Sequence, residues 1–284
     1  MQLFKAKSVD YEEIKSASES FTAYSYIRDD FGGKTMFCVS PCHGRSFVIC
    51  QKENGRWVVS KGNGLSYTGH SFINTYEMGM ESWGLLVEKF AVRDFTNCIN
   101  IQAKGIKTNQ MEFVLKLNEP LRVGEKIIYP FLLQYNVECP YRICDFSFMD
   151  KAQISIELEK WESLNTDKFK EKYLIAADVL FKNLRIMHDN NILHNAIHIQ
   201  NYTWALELLD FESSRTPNFP YNEEDEKRFP ILYHRELIHT YDVINYIAWC
   251  LRENIDYKKI DNVFAKYGFN FDRYKTRSVE FAIL

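Results

Sequence analysis

Asn191-Ile192-Leu193-His194-Asn195-Ala196-Ile197-His198-Ile199-Gln200-Asn201, followed closely by Leu208-Leu209-Asp210-Phe211-Glu212, constrains this chain more than any other stretch. It reads as an apolar couplet, a His, a loop ending in Asn, a short strand and then Asp-Phe. An amide oxygen and a carboxylate are hard ligands that suit Mg²⁺, an ion that keeps waters and phosphate oxygens in its shell instead of a full protein cage. Asn201 and Asp210 are therefore the candidate metal ligands. The best helical pattern in the chain runs directly into this loop: Lys168 to Asn190, with Phe169, Tyr173, Leu174, Ala177, Leu180, Leu184 and Met187 on one side.

The same order of residues occurs in protein kinases, where a loop Asn and the Asp after the next strand hold the metal against a nucleotide. In the kinase pattern His-x-Asp-x-x-x-x-Asn, the Asp that accepts the substrate proton falls on Ala196. A methyl group is no base. The chain is then either a binding-only pseudokinase or a member of a branch that places its base elsewhere.

With 284 residues, the chain can bury one large core or two lobes sharing a cleft. Its 46% hydrophobic and 26% charged residues are ordinary for a soluble protein. A formal charge of −3 argues against a general nucleic-acid binder. The N-terminal stretch has no apolar signal-peptide core, and no run reaches the roughly 18 apolar residues of a membrane span. Seven scattered cysteines, an odd number, point to reduced thiols and a cytoplasmic location. Cys38, Cys42 and His43, with Cys50 nearby, lack zinc-knuckle spacing and a second answering pair, so the cysteines of these β-like runs are read as small buried hydrophobes.

Residues 1 to 30 read as an amphipathic lead-in. Short β-type runs follow: Met36 to Val39, then a hairpin from Phe47 to Val59 turning at Lys52 to Gly55. That strand leads into Lys61-Gly62-Asn63-Gly64-Leu65. A Lys at a strand end beside a Gly-x-Gly turn can approach phosphates, since glycine lets the backbone come near an anion; an ordinary turn with a solvated Lys is the other reading. The Walker pattern is absent. Gly84 to Lys104 is helical by the recurrence of Leu86, Phe90, Val92, Phe95, Ile99 and Ala103, with Gly105 as its stop. In a kinase-like lobe this would be the helix whose acid pairs with the strand Lys, which makes Asp94 the mate for Lys61. Strand-like runs at Met111 to Leu117 and Lys126 to Gln134 complete a β-rich lobe. Cys139 to Asp150 reads as the passage to a helical lobe, closed by helices over about Glu236 to Glu253 and Tyr257 to Tyr267. The acidic Glu223-Glu224-Asp225-Glu226 within Pro217 to Pro230 reads as a solvated loop.

In this order the elements resemble the selenoprotein O family of kinase-like adenylyltransferases, from roughly Trp57 to Leu251. The family's Lys-Gly-x-Gly-Leu is similar to Lys61 to Leu65. Its Arg-Glu-Phe and Gly-Ile-Pro-Thr are similar, without a gap, to Arg93-Asp94-Phe95 and Gly105-Ile106-Lys107-Thr108. Its Arg-Phe-Gly-x-Phe resembles Arg142 to Phe146. Its loop Cys-His-Gly-Val-Met-Asn-Thr-Asp-Asn and following Asp-Tyr-Gly lie over Leu193 to Asn201 and Asp210 to Glu212, again ungapped. That family too carries an apolar residue where Ala196 stands.

The resemblance implies an α+β, bilobal protein-kinase-like fold: a β-rich N-lobe with one main helix over 1–138, and a mostly helical C-lobe over 139–284. It further implies ATP bound in the reversed sense and transfer of AMP to a protein hydroxyl. Lys61 and Asp94 would form an ion pair, Lys61, Gly62, Gly64 and Arg142 would hold the nucleotide, and Asn201 and Asp210 would bind the metal, Mg²⁺ or alternatively Mn²⁺. The chain departs from the family in several places. The helix Glu is Asp94, the loop Asp proposed as base is Gln200, and Ser71 to Met80 is an extra segment. The chain is also much shorter and lacks the family's C-terminal cysteine motif.

The expected partner is a protein with a Ser, Thr or Tyr acceptor, with no nucleic acid and no membrane, and the oligomeric state is left open. A nucleotide-binding scaffold is the alternative, favoured by Gln200 and opposed by the retained Lys61, Asn201 and Asp210. A small-molecule phosphotransferase is a third, disfavoured by Ala196.

Overall fold

A central strand with neighbours on both sides organises the first half of the structure, a computed structural model. It describes residues 26–31, 34–38, 46–62, 86–116, 121–123, 126–129, 131–220 and 229–269. By its internal contacts the chain divides into two compact units, Met1–Asn100 with Thr108–Pro140, and Ile101–Lys107 with Tyr141–Leu284. Secondary structure is mixed α+β.

In the first unit, strands β3 (Ser46–Gln51), β4 (Trp57–Lys61), β5 (Gln110–Lys116) and β8 (Phe131–Val137) form an antiparallel sheet in the order β3-β4-β8-β5. The β3–β4 turn closes with Gly55 N–H donating to Lys52 O at 2.9 Å, Gly55 taking φ +80°. Every residue of β8 is buried, and Leu132 packs with Phe113 and Leu115. A bulge between Met111 and Phe113 turns Glu112 toward Gln134 and Asn136, whose amides donate to it at 2.6 and 3.2 Å. Lys52 also pairs with Glu112. Burial works against the Glu112 charge, but Lys52, Gln134 and Asn136 outweigh it and hold the carboxyl below its usual range.

Two small hairpins stand apart from this sheet: β1 (Tyr26–Phe31) with β2 (Lys34–Cys38), and β6 (Leu121–Val123) with β7 (Lys126–Ile128). The strand at Tyr26 corrects the reading of 1 to 30 as an amphipathic lead-in. The single run expected over Lys126 to Gln134 is two strands, and Pro130, which has no N–H to give a ladder, stands between them in the sequence.

Helix α1 (Glu88–Gln102) starts later than Gly84 because Leu86 is engaged in a bridge with Phe131, whose N–H donates to Leu86 O at 2.8 Å. Its buried stripe also differs from the expected one. Ala91, Asp94, Asn97 and Cys98 are buried, whereas Phe90, Val92 and Phe95 are half-buried and Ile99 is 43% exposed. Polar residues displace apolar ones there because the interior supplies their partners: Cys98 donates to Asn109 O at 3.2 Å, and Asp94 meets Lys61. Gly105 stops the helix, at φ +84°.

The second unit holds α2 (Lys151–Glu162), α3 (Lys172–Asp189), α4 (Phe229–Leu251) and α5 (Tyr257–Lys266). Asp150 and Gln153 form a reciprocal cap on α2, each bond 2.8 Å. Helix α3 is the core, packed by α4 and α5 and buried over most of its length. It begins at Lys172, not Lys168, because Lys168 sits at φ +56° and Asn165 holds the backbone of Phe169 off helical geometry. Glu253 caps it instead, accepting from Lys172 N and Tyr173 N at 2.9 and 3.0 Å. Helix α4 begins at Phe229, earlier than expected, with Pro230 in a first turn that needs no N–H. Among the described residues no helix is long and apolar enough to cross a membrane.

Candidate functional site

In the first unit, Lys61 ends β4 and its Nζ lies 2.6 Å from Asp94 Oδ2. Lys61 is 2% and Asp94 1% exposed. A carboxylate on a buried helix stripe is tolerable only with a cation beside it. Gly62 follows at φ +96°, where an added Cβ would come within 2.5 Å of Phe131 O. Position 62 is thus open to glycine alone. Gly64, the acidic stretch 223–226, the extra segment 71–80 and the Cys42-His43 pair lie outside the described residues.

In the second unit, the loop after α3 is fixed at nearly every residue. Leu193 pairs with Arg215 through both backbone groups, at 3.0 and 2.8 Å. His194, fully buried, bonds through Nε2 to Leu209 O at 2.8 Å, so that nitrogen carries the hydrogen, and its ring lies edge-on to Phe211 at 5.2 Å. These contacts tie the loop to the Asp210 segment. Asn195, at φ +65°, gives its N–H to Glu236 Oε1 at 2.5 Å. Its side chain meets Arg235. Glu236 Oε2 faces His188 Nε2 at 3.0 Å, and the residue is 1% exposed.

Asn201 closes the loop. Its Nδ2 donates to Ala196 O at 2.8 Å, which determines the amide's orientation because a carbonyl can only accept. The amide Oδ1 is left as the acceptor end of a side chain that is 8% exposed. Leu209 N–H donates to Asn201 O at 2.9 Å across the short ladder that pairs Tyr202 with Leu208. Asp210 is the next residue along, at φ +68°. The structure thus places Asn201 and Asp210 at one end of one ladder, with oxygens that suit a hard cation. Of the six non-glycine residues with positive φ among the described residues, four fall at Asn191, Asn195, Leu206 and Asp210. Backbone of this kind costs about 1–3 kcal/mol per residue and gathers where geometry is over-determined.

Arg142 is 6% exposed. Its Nη1 donates to Gln200 O at 2.6 Å, and its N–H to Asp145 Oδ2 at 2.8 Å. It therefore supports the loop's backbone, a task that the sequence reading did not assign to it. Ala196 and Gln200 bring no carboxylate to the loop.

Glu236 was missed in the sequence. It lies 41 positions from Asn195, in a stretch read only as helical, and a Glu among Arg235, His234 and His239 carries no local sign of burial. On the same helix His239 is half-buried, and burial, then Arg235, lower its pKa, with His198 adding to the effect and Asp242 and Glu236 opposing it. No family model matches the sequence, and comparison with curated proteins returns no match.

Proposed function

We propose that the chain is a two-lobed, kinase-like binder of Mg-ATP that transfers AMP to hydroxyl groups of a protein. The observation that carries this reading is Asn201: its amide nitrogen donates to Ala196 O, which leaves its oxygen as the acceptor end, and its backbone carbonyl takes the N–H of Leu209, the residue before Asp210. Two hard oxygen donors on a pre-shaped loop suit a magnesium ion that takes its remaining ligands from phosphates and water. The resemblance to selenoprotein O, not the placement of the two units, assigns Lys61 and Arg142 to phosphate oxygens, with Asp94 holding the ammonium. The choice of AMP over phosphate follows from the resemblance to selenoprotein O. The step breaks the bond between α- and β-phosphate, joins the acceptor oxygen to the α-phosphorus and releases pyrophosphate, the hydroxyl proton passing to the departing phosphate oxygens or to water. A loose transition state asks for charge and positioning more than for a strong base, which accommodates Ala196 and Gln200.

A second reading, a binding-only scaffold, is favoured by Arg142, whose guanidinium already serves Gln200 O. Incubation with ATP labelled on the α- or the γ-phosphate, read by intact mass, separates the two. AMP transfer adds about 329 Da and the α-label, and phosphorylation about 80 Da and the γ-label. ATP binding with no mass gain on the chain or on proteins of a lysate supports the scaffold.

A further inference from the structure

The segment between α2 and α3 is shaped by one side chain. Asn165 Oδ1 accepts from Phe169 N at 2.7 Å while its Nδ2 donates to Phe169 O at 2.9 Å. This clamp, with Lys168 in the left-handed region, sets one wall of a groove of about 490 Å³ against α5. Its apolar lining is Phe169, Leu174 and Val263. Its rim carries Lys168, Lys170, Lys259 and Lys266 against two carboxylates, Asp167 and Glu171.

The four lysines are not equivalent. Lys259 pairs with Glu171, and Lys266 bonds both Asp167 and Asp178 at 2.7 Å. Although burial opposes the charge on Lys266, its two carboxylates outweigh it and push its pKa up. Lys168 and Lys170 are exposed and make no ion pair among the described residues. The groove therefore combines an apolar floor with two exposed cations, Lys168 and Lys170, on a clamped loop, Lys170 also acting on the Glu171 charge at longer range.

We propose that this groove docks an acidic segment of a partner protein, one apolar side chain on the floor and flanking carboxylates on Lys168 and Lys170. The chemistry favours a peptide over a phosphate compound. No arginine fork lines the groove, and arginine is the residue suited to bidentate phosphate recognition. The first two amides of α3, the donors that would otherwise meet a phosphate there, are already occupied by Glu253. A long chain can cross an open groove with both ends in water, while a nucleotide binds best when most of its surface is enclosed. The proposal is independent of the nucleotide reading, because it uses none of Lys61, Arg142, Asn201 or Asp210.

The test is fluorescence anisotropy of the full chain with a labelled peptide, Glu-Asp-Leu-Phe-Glu-Asp, at low and high salt. Binding should weaken with salt, as screening requires. Lys168→Glu combined with Lys170→Glu, at exposed positions, should weaken it at least tenfold with the melting temperature unchanged. A peptide with Lys in place of each acid should bind the double variant better than the wild type. Absence of binding at millimolar protein, or equal affinity of wild type and double variant, overturns the proposal. Competition by inorganic phosphate at micromolar concentration also overturns it, in favour of a small-anion site.

Discussion

Lys61 Nζ lies 2.6 Å from Asp94 Oδ2, the two side chains being 3% and 1% exposed, so the last residue of β4 and the middle of α1 are joined by a charge pair withdrawn from water. An aspartate reaches this far because it stands on the buried stripe of the helix, between Ala91 and Cys98, and not on its flank. Withdrawal from water makes the pair a poor source of net stability and a severe liability once broken.

Lys61→Met should therefore destabilise the protein by about 3–5 kcal/mol, since it strands a buried carboxylate. Adding Asp94→Leu should recover most of that loss, because two apolar side chains replace two charges. Urea unfolding of both variants checks this. Equal loss in the single and double variants would show that the pair is not the dominant interaction of either residue.

Gly62→Ala should cost more than Gly105→Ala. Both positions have positive φ, a backbone penalty of about 1–2 kcal/mol for a residue with a Cβ. Only at Gly62 does the new methyl also meet Phe131 O, at 2.5 Å; at Gly105 nothing lies within 4 Å. Paired denaturant curves decide the order.

Glu236→Ala should release the loop that carries Asn201. It removes the acceptor of Asn195 N–H and the partner of His188, at about 1–3 kcal/mol for each buried group left unsatisfied. Amide exchange at Asn195 should accelerate before global unfolding does. If protection there is unchanged, Glu236 does not hold the loop.

His239 should make stability depend on pH in one direction. Its folded pKa lies below the ordinary value of 6.5, so the unfolded chain binds the proton more readily. The contribution is complete above pH 6.5 and is lost as pH falls toward the folded pKa. His239→Gln should flatten the stability profile below pH 6.5, as measured by urea midpoints. A profile that keeps its slope would assign the effect to another group.

The hairpin of β3 and β4 was legible because two β-type runs flank a Gly turn, and the stop of α1 because Gly105 follows a periodic stretch. Both signals are local. Periodicity counts apolar residues and so misses the buried face of α1, where Asp94 is taken inward by Lys61 of β4 and Asn97 is buried as well. The start of α3 was misplaced by four residues because the Asn165 clamp acts through a side-chain amide that propensity does not see. The sequence marks Ala196 as the place of an absent base and Asn201 as a ligand. Their bond, the carbonyl of one fixing the amide of the other, needed coordinates. The same is true of Arg142, named for phosphates and found against Gln200 O.

On the proposed reading Asn201 and Asp210 present oxygens to a magnesium–nucleotide complex, and thermal unfolding with and without Mg-ATP reads that contact out. A ligand at about 100 times its Kd stabilises the folded state by about 2.7 kcal/mol, so the wild-type melting temperature should rise by several degrees with millimolar Mg-ATP. Asp210→Asn removes the charge while keeping a residue that tolerates φ +68°, and it should abolish the magnesium-dependent part of the rise. No shift in the wild type, or a shift equally large without magnesium and in Asp210→Asn, would contradict the account.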